Sequence, residues 1–279
     1  MRRRRQSVVD HFHLESPFAT EFRRLLKKIE DRRTESELKS LLVTSAMLSE
    51  GKSTVCAFLG MTAAAHKRMK TLIIDCDIRR PSIHRLFGLE RDGGLVEAVA
   101  DGRSVRELVK ASGLDNLDLI TSGRHRDNPT EIFDPEKIAA VIGELGFYYD
   151  LVLVDTAPAI PVSDPMLLMP KVDGALLVVK AGSTQRQVVE RAAGILDPDR
   201  RLLLGVVLNN LDNVLPYYYD SRYYGYHYAE KRRVSAKTAV RVRERRRSHD
   251  HKRAKKKDTP EESFITRDGK VTRPDDGSA

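Results

Sequence analysis

The stretch Leu41-Leu42-Val43-Thr44, followed after Ser45 by Ala46-Met47-Leu48-Ser49-Glu50-Gly51-Lys52-Ser53-Thr54, decides the fold. Four apolar or β-branched residues in a row read as a short buried strand, and Ser53 to His66 is helical in composition. Between them Gly51, Lys52 and a hydroxyl stand at fixed offsets, with Ala46 in the first glycine position. That is the pattern of a nucleotide phosphate loop in its required strand–loop–helix context. Successive backbone N–H groups and a helix N-terminus form a concave anion site. Gly51 lets the backbone approach phosphates, Lys52 reaches the β/γ-phosphates, and Ser53 supplies a hydroxyl for Mg²⁺. Ala46, Glu50, Gly51, Lys52, Ser53 and Thr54 are thus the expected cradle. Leu48-Ser49 is a departure, since glycine or proline is common there.

Outward from this loop, apolar runs recur. Thr71–Asp75, Leu117–Ile120, Leu151–Asp155, Gly174–Val179 and Leu202–Leu208 are further candidate strands, with helical segments between most of them. Continuous Val/Ile/Leu runs separated by helices predict an α/β fold, a parallel β-sheet flanked by helices on both faces. Leu72-Ile73-Ile74-Asp75-Cys76-Asp77-Ile78-Arg79-Arg80-Pro81 sets two acids at the C-terminal end of a buried strand. Ligands bind at that end of an open parallel sheet. The 23 residues from Lys52 to Asp75 leave room for one helix and one strand, so both carboxylates can reach the loop. A strand-end cap is the plainer explanation of such a pair. Asp155, closing Leu151-Val152-Leu153-Val154, reads as a second metal-facing carboxylate, although many strands end in Asp.

Upstream, Ser16-Pro17 reads as a helix start. Phe18, Phe22, Leu25, Leu26 and Ile29 fall on one apolar face of it. Residues 1–15 are a flexible basic N-terminus, 16–211 the α/β domain, 212–228 a tyrosine-rich segment and 229–279 a disordered basic tail. Seven of the nine tyrosines lie within Tyr217–Tyr228, interrupted by Asp220, Arg222, Gly225 and His227. Such interruption favours an exposed segment over a core strand.

Charge is as uneven as the tyrosines. The net charge is +9, with 49 Lys/Arg against 40 Asp/Glu. Arg2–Arg5 supply +4, and residues 229–279 hold 17 basic and 9 acidic residues. The body from Gln6 to Tyr228 is left at −3. A folded surface built uniformly for nucleic acid is therefore excluded. Two cysteines, Cys56 and Cys76, rule out a disulfide framework. No apolar run reaches the roughly 20 residues of a spanning helix, and no secretory signal follows the arginines. A cytoplasmic chain is expected.

Together these motifs resemble the bacterial tyrosine kinases of capsule and exopolysaccharide synthesis in their free cytoplasmic form. The resemblance covers about residues 16–228. It rests on the hydrophobic run ending Asp75-x-Asp77-x-Arg79, on Glu21-x-x-Arg24-x-x-Lys27, on Asp155-Thr156-Ala157-Pro158 and on the tyrosine cluster. Lys27 stands where the family usually has Arg, and the family usually ends at the tyrosines. The fold implied is a phosphate-loop NTPase of the ParA/MinD-like class. The activity implied is ATP- and Mg²⁺-dependent autophosphorylation, in trans, of Tyr217, Tyr218, Tyr219, Tyr223, Tyr224, Tyr226 and Tyr228. Lys52, Asp75, Asp77, Arg79 and Asp155 would be catalytic. Ser53, Asp77 and Asp155 would hold the ion, and Asp75 would accept or orient the acceptor's proton. Arg79 and Arg80 would stabilise transferred charge or position the acceptor. Asn209 or Asn210 would read adenine, with a simple turn residue as the equal alternative.

The partners implied are a membrane-embedded polysaccharide co-polymerase that activates the kinase as a separate chain, a tyrosine phosphatase, and further copies in a ring through Glu21, Arg24 and Lys27. The basic tail adds an anionic membrane surface, placing the chain peripherally on the inner face of the cell membrane. Two other functions compete. A ParA/MinD-like positioning ATPase typically has an extra lysine where this chain has Met47, and lacks a tyrosine cluster. An ATP-bound scaffold would use its basic tail on nucleic acid or membrane. Kinases of the eukaryotic type are disfavoured, because Asp-Phe-Gly does not occur.

Overall fold

The structure, a computed structural model, describes residues 7–35, 37–199 and 201–210. Arg2–Arg5, Leu211, the tyrosine segment and the basic tail lie outside the described residues. Among the described residues seven strands form one sheet: β1 (Ser40–Ser45), β2 (Thr71–Asp75), β3 (Lys110–Ala111), β4 (Leu117–Ile120), β5 (Leu151–Asp155), β6 (Gly174–Lys180) and β7 (Leu203–Asn209). Their order is β3-β4-β2-β5-β1-β6-β7, and every pairing is parallel except β3 with β4. The helices are α1 (Pro17–Glu35), α2 (Lys52–Lys67), α3 (Ile83–Leu86), α4 (Leu95–Asp101), α5 (Pro129–Ile132), α6 (Pro135–Gly146), α7 (Asp164–Leu168) and α8 (Arg186–Leu196). The parallel α/β architecture and the six long strands agree with the sequence reading. β3 was not expected: two residues carry too little pattern to read, and they are paired antiparallel against β4.

The unbroken apolar runs are explained by burial on both faces. Leu41, Val43, Ile73, Leu119, Leu151 and Leu153 pack toward α1 and α2. Their chain neighbours Leu42, Leu72, Ile74, Ile120, Val152 and Val154 pack toward α4, α6 and α7. The strand period of two divides one run between two cores. β7 differs: at this edge of the sheet Val206 and Leu208 are 44% and 56% exposed.

Helix α1 starts where Ser16-Pro17 predicts, with the Ser16 hydroxyl accepting from Ala19 N at 3.1 Å. Phe22, Leu26 and Ile29 are buried, while Phe18 stays 40% exposed, its ring edge-on to Phe58 of α2 at 4.5 Å. Phe22 also meets Phe58, at 5.6 Å between centroids. Phe22→Ala is expected to cost about 3 kcal/mol and Phe18→Ala about 1 kcal/mol or less, by urea unfolding. Equal costs would mean that α1 is not docked through the Phe22 face.

Candidate active site

The switch point of the sheet lies at β1, whose following loop passes to α2 while β5 and β6 flank it on either side. Crevices at such points sit over the C-terminal strand ends. Here the loop runs from Ala46 to Gly51. Gly51 has φ +89° and Ser49 φ +62°, both left-handed. Ala46 is fully buried, among Leu177, Val179 and Ala192, so its methyl extends the core under the loop. That explains alanine where glycine is usual.

β2 and β5 pair in register, so Asp75 lies directly beside Asp155. Asp77 follows two residues beyond the strand. Lys52, the first residue of α2, reaches into this group: its Nζ lies 2.8 Å from Asp77 Oδ2 and 3.9 Å from Asp155 Oδ1, and donates to Ser53 Oγ at 3.1 Å. The structure therefore brings together Lys52, Ser53, Asp75, Asp77 and Asp155. A cleft of about 230 Å³ opens beside them, lined by Gly51, Lys52, Ser53, Thr54, Asp77 and Arg80 among others.

The electrostatics are unbalanced. Burial depresses the Lys52 ammonium, but Asp155 and Asp77 outweigh it and hold its pKa above the ordinary value. Asp75 is pushed well above the carboxylate range by burial, then by Asp155 and Asp77. Burial drives Asp155 up to about 6, against the pull of Lys52. Asp75 Oδ2 accepts from the amides of Ser82 and Ile83 at 3.2 and 3.1 Å. Asp75 Oδ1 and both Asp155 carboxylate oxygens are buried without a hydrogen-bond partner. Buried, unpartnered carboxylate oxygens beside a hydroxyl form an all-oxygen donor set, which suits a hard divalent cation such as Mg²⁺. The donor chemistry of Ser53 and Asp155 therefore fits the ion, whereas both Asp77 oxygens are engaged, Oδ2 with Lys52 at 2.8 Å and Oδ1 accepting from Arg80 N at 2.9 Å, so Asp77 would join them only by releasing one of these partners.

Among the described residues, the other expected site residues surround this cluster without making contact with its carboxylates, except Arg80, whose amide donates to Asp77 Oδ1 at 2.9 Å. Arg79 is clamped outside this cluster, with Nε and one terminal nitrogen on the buried Asp164 at 3.0 and 3.3 Å and a bond to Thr130 at 3.1 Å. The Glu50 carboxylate accepts from Met47 N, Lys180 N and the Thr184 hydroxyl, so it braces the loop. Asn209, the last residue of β7, donates from Nδ2 to the Glu50 carbonyl at 2.9 Å. On α1, Arg24 pairs with Glu21 at 2.7 Å and Lys27 with Asp31. Asp164, Thr184 and Lys180 were missed by sequence reasoning. Asp164-Pro165 signals only a helix start, and its tie to Arg79 spans 85 residues. The chain also holds a His-Arg-Asp tripeptide, His125-Arg126-Asp127, in the loop after β4, where Arg126 pairs with Asp101 at 2.7 Å. Among the described residues no helix is long and apolar enough to cross a membrane.

An unfolded aspartate titrates near about 4 and Asp155 in the fold at about 6. Between these values the metal-free folded protein binds more protons than the unfolded chain, so its stability falls as pH rises through that window. Asp155→Asn is expected to stabilise the metal-free protein by roughly 1–3 kcal/mol above about pH 6, with the gain fading toward pH 4. Urea unfolding at several pH values checks this. An unchanged or lowered stability at neutral pH would contradict it.

No protein-family model matches the chain. It is 32% identical over 207 residues to the tyrosine-protein kinase YwqD of Bacillus subtilis, covering 74% of this chain and 87% of that protein. The kinase domain of the Escherichia coli tyrosine kinase ETK matches with a TM-score of 0.64 at 29% identity, over 67% of this chain and 73% of the other. The septum site-determining protein MinD of Pyrococcus horikoshii, complexed with Mg-ADP, matches with a TM-score of 0.54 at 21% identity, which speaks to the fold alone. It covers 61% of this chain and 70% of the other. The motifs at Lys52, Asp75-x-Asp77 and Asp155, the shared sheet and the similarity across most of YwqD lead to one conclusion: the chain belongs to the bacterial tyrosine-protein kinases.

Proposed function

We propose that this kinase uses Mg²⁺–ATP to phosphorylate its own tyrosine segment, Tyr217, Tyr218, Tyr219, Tyr223, Tyr224, Tyr226 and Tyr228, on a second copy of the chain. The observation that carries this reading is Lys52 within salt-bridge distance of both Asp77 and Asp155 at the mouth of the loop. Lys52 neutralises phosphate charge. The first-turn amides of α2, which lack intrahelical partners, bind phosphate oxygens. Ser53, Asp77 and Asp155 would hold Mg²⁺, which when bound offsets the charge of the β- and γ-phosphates. Asp75, made more basic by burial and its neighbours, takes the proton from the tyrosine hydroxyl. Its Oδ1 is the free oxygen for that bond. Arg79, fixed by Asp164, shapes the acceptor side, and Arg80 lines the cleft.

The domain limits follow: a kinase domain over 16–211, an acceptor segment over 212–228 and a basic tail over 229–279, preceded by residues 1–15. The biological setting we infer is exopolysaccharide or capsule synthesis, with a membrane co-polymerase as activator, a phosphatase as counterpart and copies assembled through Glu21, Arg24 and Lys27. The +8 of the tail holds the kinase against anionic lipid. A positioning ATPase remains the second reading, favoured only by the shared sheet.

Mass spectrometry of the chain incubated with ATP is expected to find phosphotyrosine within 217–228, and Lys52→Met to abolish it. Phosphate confined to serine would overturn the proposal. A Lys52→Met copy mixed with an active copy lacking the tyrosines should become phosphorylated, and failure there would exclude transfer in trans. Deleting 231–279 should release the chain from phosphatidylserine vesicles at low salt. Unchanged binding after that deletion would exclude the tail as the anchor.

A further inference from the structure

We infer that Asn209 is a positioning residue of the phosphate loop: it holds the loop in its phosphate-binding shape, a role separate from reading the base. The inference rests on the nucleotide reading of the loop and adds the part that keeps the loop in shape. The Glu50 residue sits between two left-handed neighbours, Ser49 and Gly51. A non-glycine residue at φ +62° adopts that conformation only when its surroundings hold it there. Glu50 is 3% exposed, and among the described residues it is fastened from several sides. Its carboxylate ties the loop to itself through Met47 N at 2.6 Å, to the end of β6 through Lys180 N at 3.3 Å, and to the Thr184 hydroxyl. Its carbonyl accepts from Asn209 Nδ2 at 2.9 Å, which ties the same residue to the end of β7.

The Asn209 amide is engaged at both ends, by one of its two N–H groups and by one lone pair of its oxygen. Nδ2 points to the loop, and Oδ1 accepts from Asn210 N at 2.9 Å. The backbone carbonyl of Asn209 accepts from Ala181 N at 2.8 Å, so the residue is anchored to the turn after β6. Contact with the loop is close enough to dictate the sequence: a methyl group on Gly51 would lie 2.1 Å from Asn209 Nδ2. Glycine at 51 is thus required by its φ, and any side chain there would also displace the Asn209 amide from the loop. A loop held from two strands presents its amides ready for phosphate, with no reorganisation on binding. Such a strut acts on the diphosphate common to all nucleotides, whereas a base reader acts on adenine alone.

The test is binding of ADP and of GDP to the full chain, by calorimetry, for the unmodified protein, Asn209→Ala and the similarly shaped, uncharged Asn209→Leu, which removes the donor. Both variants are expected to lose ADP and GDP affinity by the same factor, roughly tenfold for one lost hydrogen bond to a buried carbonyl. Thr184→Val should weaken both diphosphates alike. Combined with Asn209→Ala it should cost less than the product of the two single losses, because both act through Glu50. Loss of ADP alone with GDP unchanged overturns the inference and makes Asn209 a base reader. Unchanged affinities, or fully multiplicative losses, overturn it as well. An unmodified chain that binds neither diphosphate defeats the nucleotide reading itself, and the inference with it.

Discussion

Two buried aspartates side by side are the constraint around which this molecule is arranged. Parallel pairing of β2 with β5 sets Asp75 opposite Asp155, and Asp77 arrives just beyond. Like charges at close range in a dry site repel strongly, and burial adds a desolvation cost. Among the described residues, the cation the structure sets against them is Lys52, at 2.8 Å from Asp77 and 3.9 Å from Asp155. The remaining deficit is visible in raised carboxylate pKa values and in oxygens without partners. A fold bears such a cost where charge arrives with a ligand.

The surrounding architecture keeps that cluster from relaxing. Thr156 N and Cys76 N, following the two acid-bearing strands, donate to Val43 O and Asp155 O at 3.0 and 2.8 Å. The Thr44 hydroxyl donates to Ala157 O at 2.7 Å. β1, β2 and β5 are thereby locked at their C-terminal ends, with apolar cores on both faces of the sheet. Moving any one of these strand ends away would break a strand-end bond or open a packed core, and close-packed interiors do not deform by small degrees. Strain at the catalytic end is held by the regular packing beneath it.

Much of this was legible in the chain. Strand runs, the phosphate-loop spacing, Asp75-x-Asp77 and Asp155 were read from local pattern, and each lies where that pattern places it. Other functions of the site were not legible. Arg79 reads as a cation for transferred charge, yet it is held by Asp164 and Thr130, 85 and 51 residues away. Glu50 reads as part of the cradle, yet its carboxylate binds Met47, Lys180 and Thr184. β3 was invisible because two residues hold no periodicity.

The amino-acid order by itself determined which residues form strands, which acids end them, and that a glycine and a lysine open a helix after the first strand. Those properties follow from local sterics and from a period of two or 3.6 residues, which a linear reading captures. Only the tertiary structure decided that Asp155 faces Asp75, that Lys52 stands against Asp77 and Asp155, and that Asn209 leans on Gly51. Those pairings depend on strand order, and β5 enters between β1 and β2 although it comes after both in the chain. Burial then sets the strength of each charge, and burial belongs to the packed whole.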